Sequence, residues 1–219
     1  MKESKRYLSL IILDVAVFFL MVIGITFSIF DVRFMVDYPR LATLPILMTF
    51  TGLSNVFIGV VCLLCSIYRI VKKDIKLPMV LFLLKIIALA EITITFIITA
   101  TYLAPQLGSS WWRLYINNNI FNHFLTPVVA IITFILLEVR HDLPFKYCFF
   151  SFAPIVMYGV MYAINVYTHL KPDGSTDLDY DIYGFMRFGI PIIILFLIGF
   201  LGISFALTIL YRFLNKKRS

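Results

Sequence analysis

The fold is decided by residues 77–104, which read LPMVLFLLKIIALAEITITFIITATYLA and contain only two charged side chains, Lys85 and Glu91. An α-helix needs roughly 20 predominantly apolar residues to span the hydrocarbon core of a bilayer. The stretch therefore predicts a transmembrane helix with length to spare for tilt. Its two charges need an explanation, because an ionised group inside a bilayer is costly and usually has a functional or pairing role.

Five further stretches have the same character. The chain is 61% hydrophobic and only 14% charged, whereas soluble domains carry about 25% charged residues. We therefore expect an all-α, polytopic membrane protein that forms a single six-helix transmembrane domain over residues 1–219, without a separate soluble domain. The first span is long for a signal peptide and is interpreted as an uncleaved helix. The predicted spans are residues 7–30, 43–68, 77–104, 118–139, 147–167 and 188–213.

The positive charges are distributed unevenly between the two sets of connectors. The two termini together with the second and fourth connectors hold 13 of the 19 lysines and arginines, and the other connectors hold five. Lys and Arg are enriched in cytoplasmic loops, so we expect a cell-membrane protein with both termini in the cytoplasm. The net charge of +7 then reflects topology and contact with membrane lipids rather than binding to nucleic acid.

Cofactor and metal motifs are not prominent. Cys62-x-x-Cys65 has the spacing of a redox or metal pair, but neither a second pair nor a nearby histidine accompanies it. Buried apolar packing is the favoured interpretation of these cysteines. In the third external loop, Asp177, Asp179 and Asp181 alternate as in a calcium loop but lack its glycine and closing glutamate. We expect no cofactor and no metal, and a solvated loop whose aromatic residues fold back over the bundle as a lid: Tyr180, Tyr183 and Phe185.

Two polar clusters interrupt the second and fourth spans. Thr51 is expected about 12 Å below the external end of its helix and His123 about 8 Å below the end of its own. Asn55 and Asn119 lie one helical turn from these residues on the same faces, and Asn122 and Thr126 form a neighbouring stripe. If the two helices face each other, Thr51, Asn55, Asn119 and His123 line one outward-opening cavity.

This cluster has two interpretations. A neutral histidine can take the proton of a hydroxyl and make its oxygen nucleophilic, while asparagine amides orient the imidazole or stabilise an oxyanion. Alternatively, Thr and Ser bond back to their own helix, and Asn and His join helices to one another.

A second polar set lies deeper. Asp14 and Lys85 have matching depths from the cytoplasmic side, so they can form a pair if the first and third helices touch. Glu91 lies near the middle of the third helix and needs another partner or a proton. A proton or ion pathway, or recognition of a charged substrate, is one interpretation. A buried pair that fixes packing is the other. Glu138, beside Arg140, is interpreted as an interfacial charge.

Two motifs resemble those of a known family. Phe50-Thr51-Gly52-Leu53-Ser54-Asn55 resembles the F-T-x-x-S-N signature of a bacterial family of six-helix integral membrane proteins, and His123 to Pro127 resembles its H-x-x-x-P segment. That family is distantly similar to the androgen-induced membrane hydrolases, which cleave fatty-acid esters with an intramembrane threonine and a histidine. The resemblance implies Thr51 as nucleophile and His123 as its partner. Ser54 and Thr49 remain alternative hydroxyls.

Three functions follow from these patterns. The first is an intramembrane hydrolase or acyl-transfer enzyme that acts on lipid esters through Thr51 and His123, supported by Asn55, Ser54, Asn119 and Asn122. The second is a transporter of small molecules or ions, or its substrate-binding subunit, which uses Asp14, Lys85 and Glu91. The third is a structural or sensing membrane protein in which the polar residues serve packing only.

Overall fold

The computed structural model describes residues 3–30, 46–117, 119–139, 141–177 and 179–216, and every element in these ranges is helical. The first predicted external loop, Asp31–Ala42, lies outside the described residues, as does Arg140. A π-turn at Thr99–Leu103 continues the third helix, another at Phe121–Leu125 precedes the fourth, and a 3₁₀ helix at Phe145–Ser151 precedes the fifth. The six main helices are α1 (Glu3–Phe30), α2 (Phe50–Lys72), α3 (Met79–Ile98), α4 (Thr126–Leu137), α5 (Phe152–Thr168) and α6 (Ile190–Lys216).

Five of these units are long and apolar enough to cross a bilayer. They are α1, α2, α3 with its π-turn, α5 with its 3₁₀ helix, and α6. The α4 unit, Phe121–Leu137, is equally apolar but shorter. The all-helical class expected from the composition is therefore confirmed for the described residues, and the five long apolar helices are compatible with a membrane protein.

The start of α2 differs from its predicted position. The helix begins at Phe50, because the extended residue Thr49 (φ −90°, ψ 151°) caps it and accepts a hydrogen bond from Gly52 N at 3.0 Å. A threonine at this position satisfies one of the free amides of the first turn. Thr51 is consequently in the first turn of α2, so its predicted depth of about 12 Å is wrong. Thr49, considered above as a candidate hydroxyl, is engaged as the cap.

The first four helices form a bundle around α3. Helix α1 packs along α2 and also against α4, while α3 contacts α2, α4 and α6. The apolar core that these helices share includes Val17, Ile58, Phe82, Leu89 and Phe134, all at most 1% exposed.

Side chains near both termini lie at the same end of the bundle. The Arg6 guanidinium donates to Leu137 O at the end of α4, and Tyr7 donates to Arg69 O near the end of α2. Asn215, near the end of α6, donates to Val139 O. We call this the termini end and the opposite one the loop end.

The α5–α6 hairpin is attached mainly at the termini end. The buried residues of α6 all belong to its second half: Ser204, Thr208, Tyr211 and Asn215. In its first half, a methyl group added at Gly199 or Gly202 would meet no atom of the described residues within 4 Å. At the loop end α5 and α6 therefore stand away from α3.

Candidate functional site

A cavity of about 470 Å³ fills the gap at the loop end between α2, α3 and the α5–α6 hairpin. Its walls are mostly apolar, with Ile155 and Gly159 from α5 and Phe196 and Phe200 from α6. The volume lies within the roughly 300–1,000 Å³ typical of small-molecule sites. The buried residues of α6 lie in its other half, so the half beside the cavity is not packed into the bundle.

The segment between α5 and α6 closes the cavity from the loop end. Tyr183, Phe185 and Met186 line the cavity, so the expectation that Tyr183 and Phe185 fold over the bundle is met. Tyr180 has another position, because its ring stacks on His169 with the centroids 3.9 Å apart. We call residues 179–189 the lid.

A buried carboxylate holds the lid in place. Asp181 is 1% exposed and accepts hydrogen bonds from the Tyr162 hydroxyl on α5 and from Met186 N. The Tyr183 hydroxyl accepts from Phe50 N at 3.3 Å, which joins the lid to the start of α2. Burial raises the pKa of the Tyr183 phenol above its ordinary value, so this group remains neutral at physiological pH.

The acidic residues of this loop have different surroundings. Asp181 is buried rather than solvated as expected, and Asp177 accepts from the amide of Asp179 within a turn. Across residues 3–30, 46–117, 119–139, 141–177 and 179–216, no group of three or more His, Cys, Asp or Glu is placed to hold a metal ion. Cys62, Cys65 and Cys148 are free and buried.

Hydroxyl groups of α3 provide the polar part of the cavity wall. Thr95 and Thr99 lie one turn apart on the face that lines the cavity, and Tyr102 follows them. The Thr95 hydroxyl is 2.7 Å from that of Ser54 on α2. Thr51 also lines the cavity, next to the lid.

Thr99 is the hydroxyl that contacts His123. Its Oγ1 lies 3.0 Å from His123 Nδ1, and the two residues are 1% and 8% exposed. Both lie in π-turns, Thr99 at the start of Thr99–Leu103 and His123 in the middle of Phe121–Leu125. Single π-turns inside helices are frequent at functional sites. The Thr51–His123 pair stays a prediction, since the described hydrogen bond of His123 goes to Thr99.

The asparagines join helices. Pro127 has no amide hydrogen to donate to the preceding turn, and the carbonyl of Asn122 accepts instead from Asn55 Nδ2 at 3.0 Å. The Asn122 side chain donates to Gly24 O and to Ser28 on α1. Asn119 lies apart from this contact and donates to Arg113 O in the connector. Thr126, in the same region, is fully buried.

The deeper charges form a closed network at the termini end. Lys85 Nζ lies 2.7 Å from Asp14 Oδ1 and 2.7 Å from Glu138 Oε2, so the predicted contact between Lys85 and Asp14 is present. Arg69 reaches the same two acids at 2.6 Å and 2.5 Å. All four side chains are at most 1% exposed. Two positive charges therefore balance two negative charges.

Two members of this network were misinterpreted from the sequence. Arg69 was assigned to the second connector as a topology signal, yet it is a buried residue of α2. Glu138 was interpreted as an interfacial charge, yet it is 1% exposed and paired. The signal that could have found them is charge balance, because two acids and two bases that enter a low-dielectric interior from four helices must neutralise one another.

Glu91 is separate from this network. Its Oε1 is 2.7 Å from the Ser204 hydroxyl on α6, and its Oε2 is buried without a hydrogen-bond partner among the described residues. Glu91 lies one turn below Thr95 on α3, beyond the floor of the cavity.

No protein-family model, curated protein or solved structure matches this chain.

Proposed function

We propose that this protein is an integral membrane protein that binds a lipid-like molecule in the loop-end cavity. The observation that carries the proposal is a cavity of about 470 Å³ with largely apolar walls, closed by an aromatic lid and bordered by the loosely attached α5–α6 hairpin. An apolar chain suits such walls, because its burial is favourable by roughly 25 cal/mol per Å².

The hydroxyls on one wall suggest where the polar end of the ligand lies. Thr51, Thr95 and Thr99 can donate to or accept from an ester, carboxyl or hydroxyl group. An acyl chain then extends between α5 and α6 towards Phe196 and Phe200. The ligand class proposed is a long-chain fatty acid or its ester.

Substitution of two glycines tests whether the cavity binds this ligand. Gly159 lines the cavity, and the space in front of it is bounded by Leu197, whereas Gly202 faces open space. We expect a photoactivatable long-chain fatty acid to cross-link to peptides of α5, α6 and the lid in the wild type and in Gly202→Trp. Gly159→Trp should abolish this cross-linking. Equal labelling of both variants would contradict the proposal.

Ester hydrolysis or acyl transfer is the second candidate, and the contact between Thr99 Oγ1 and His123 Nδ1 favours it. In this reaction His123, with its proton on Nε2, takes the Thr99 proton on Nδ1 while Oγ1 attacks the ester carbonyl. The leaving alcohol takes that proton, and water or a second alcohol then releases the acyl group from Thr99. The nucleophile differs from the Thr51 that the family resemblance implies.

Three variants separate the two nucleophiles. With a chromogenic long-chain fatty-acid ester in detergent, we expect Thr99→Val to lose turnover and His123→Ala to lose about 10²–10⁴-fold. Thr51→Val removes a hydroxyl that binds the ester but does not attack it, so this variant should keep kcat and raise only KM. Labelling by a phosphonate probe that persists in Thr99→Val would exclude Thr99 as the nucleophile. If the wild type bound the ligand but did not turn it over, the protein would be a binding or sensing protein rather than an enzyme.

The transport function receives less support. Asp14 and Lys85, which it requires, are held in a closed network with Arg69 and Glu138. A charge that already has two partners is poorly suited to capture a passing ion. Glu91 is treated separately below.

We also propose that all six helices cross the membrane with both termini in the cytoplasm. The supporting observations are the common location of the chain ends and the excess of Lys and Arg there. Ser175 and Lys76 are exposed at opposite ends. In intact cells a membrane-impermeant maleimide should label Ser175→Cys but not Lys76→Cys, and the reverse pattern would invert the topology.

A further inference from the structure

Glu91 is a buried acid that neither the cavity nor the charge network uses. It is 1% exposed, and among the described residues its one hydrogen-bond partner is the Ser204 hydroxyl at 2.7 Å. Asp14 and Glu138 are equally buried, but each contacts two cations. An ionised carboxylate without such partners carries a desolvation cost of several kcal/mol, so a buried acid in this position takes up a proton instead.

The hydroxyl of Ser204 points to the same conclusion. It lies 2.7 Å from Glu91 Oε1 and 3.2 Å from Ser151 O, but it has a single hydrogen to donate. If Glu91 carries a proton on Oε1, it donates to Ser204 Oγ, and Ser204 donates to Ser151 O. The chain of donors is then complete, and the unpartnered Oε2 is a neutral carbonyl oxygen rather than half of a charged group.

The ionisable groups on the neighbouring elements have other partners. On α3, Lys85 is bound to Asp14 and Glu138. On α6, Tyr211 is hydrogen-bonded to Thr93 and Arg212 donates to Leu143 O. On the 3₁₀ helix before α5, Lys146 lies over the ring of Tyr147, and the remaining ionisable group is the thiol of Cys148.

We propose that Glu91 is an intramembrane proton-binding site, held as a neutral carboxylic acid by Ser204 and Ser151 where α3, α6 and the 3₁₀ helix before α5 meet. The site lies one helical turn from Thr95 on the cavity wall. Its ligand is the proton, and the site does not depend on what the cavity binds. The carboxyl of Glu91 is thus a protonatable group inside the helix bundle, on the same helix that lines the cavity.

Infrared spectroscopy of the purified protein at neutral pH tests the protonation state. The wild type should show the C=O stretch of a protonated carboxylic acid, and Glu91→Gln should lack it. Ser204→Ala should keep the band but shift it, because the hydrogen bond is lost. A band that is unchanged in Glu91→Gln would overturn the proposal. Gln has nearly the same shape as protonated Glu, so the variant is expected to fold.

Chemical labelling in the wild type provides an internal control. Dicyclohexylcarbodiimide is an apolar reagent that modifies protonated carboxyl groups, and peptide mass mapping locates the adduct. We expect the adduct at Glu91 and not at Asp14 or Glu138, which are ionised and paired. Equal modification of all three acids would overturn the proposal, as would the absence of both the adduct and the infrared difference.

Discussion

The α1–α4 half and the α5–α6 half of the molecule use polar residues differently. In the first half, Asp14, Arg69, Lys85 and Glu138 satisfy one another completely, and the asparagines join helix to helix. Towards the second half, hydroxyls line a cavity, and among the residues that the structure describes Glu91 has a single hydrogen-bond partner. Burial of a polar residue in an apolar helix is therefore not by itself a sign of function: the paired charges hold helices together, whereas the hydroxyls face a cavity.

The largest expected effect comes from breaking the network. Lys85→Met leaves Asp14 and Glu138 buried with Arg69 as their shared cation, so we expect a loss of about 3–5 kcal/mol in unfolding free energy, or no folded protein. Thermal unfolding in detergent measures it. Lys85→Met combined with Glu138→Gln restores the charge balance and should recover part of the loss.

The exposed Lys76 is the control for this experiment. Lys76→Met should leave the stability unchanged within about 0.5 kcal/mol. A similar loss in both variants would show that the network is no more critical than a surface charge, and the contrast between the two halves would disappear.

A smaller effect on stability is expected when a methyl group is added to a helix glycine in each half. A methyl group at Gly24 of α1 would lie 2.4 Å from Asn122 Oδ1 and 2.9 Å from Phe121 Cβ, whereas at Gly202 of α6 it would meet nothing. We expect Gly24→Ala to cost about 1–3 kcal/mol and Gly202→Ala to cost nothing. Chemical unfolding in detergent compares them, and equal losses would show that α6 is packed as tightly as α1.

Loss of the hydrogen bond between Tyr162 and Asp181 is expected to destabilise the lid and not the rest of the bundle. In Tyr162→Phe, Asp181 loses its side-chain donor while buried, which costs about 1–3 kcal/mol. Because the bond connects the lid to α5, hydrogen exchange should accelerate in residues 179–189 and remain unchanged around Lys85. Tyr167→Phe, an exposed position on the same helix, is the control. Faster exchange throughout the bundle would contradict a local role.

The all-helical class could be predicted from the sequence, because apolar stretches of sufficient length are a strong signal, and five of the helices have the length of a span. Helix ends were less predictable: Thr49 caps α2 through one local hydrogen bond, and Pro127 lies in the first turn of α4, directly after a π-turn. The cap at Thr49 moved Thr51 away from its expected depth.

The cavity could be predicted only in part. Of the residues that line the cavity, the sequence identified Thr51, Tyr183 and Phe185. It paired His123 with Thr51, whereas the described hydrogen bond of His123 goes to Thr99. Partner choice depends on how α3 and α4 are rotated about their axes, and two π-turns alter that rotation. Arg69 and Glu138 were missed because their positions near helix ends are typical of interfacial charges, while their burial arises from the packing of four helices.

The smallest expected effect concerns Tyr183, whose phenol has a pKa raised by burial against the cavity. An exposed tyrosine has a pKa near 10, so a closed lid retains the proton at a pH where an open lid releases it. The phenol therefore stabilises the closed lid fully below about pH 10, and this contribution is lost as the pH rises above that value. The phenolate of Tyr183 can be followed by subtracting the spectrophotometric titration of Tyr183→Phe from that of the wild type. The midpoint of this difference titration should lie above about pH 10. A midpoint at or below the pKa of an exposed tyrosine would mean that Tyr183 is solvated. The lid would then not close the cavity, and the two halves would differ in packing alone.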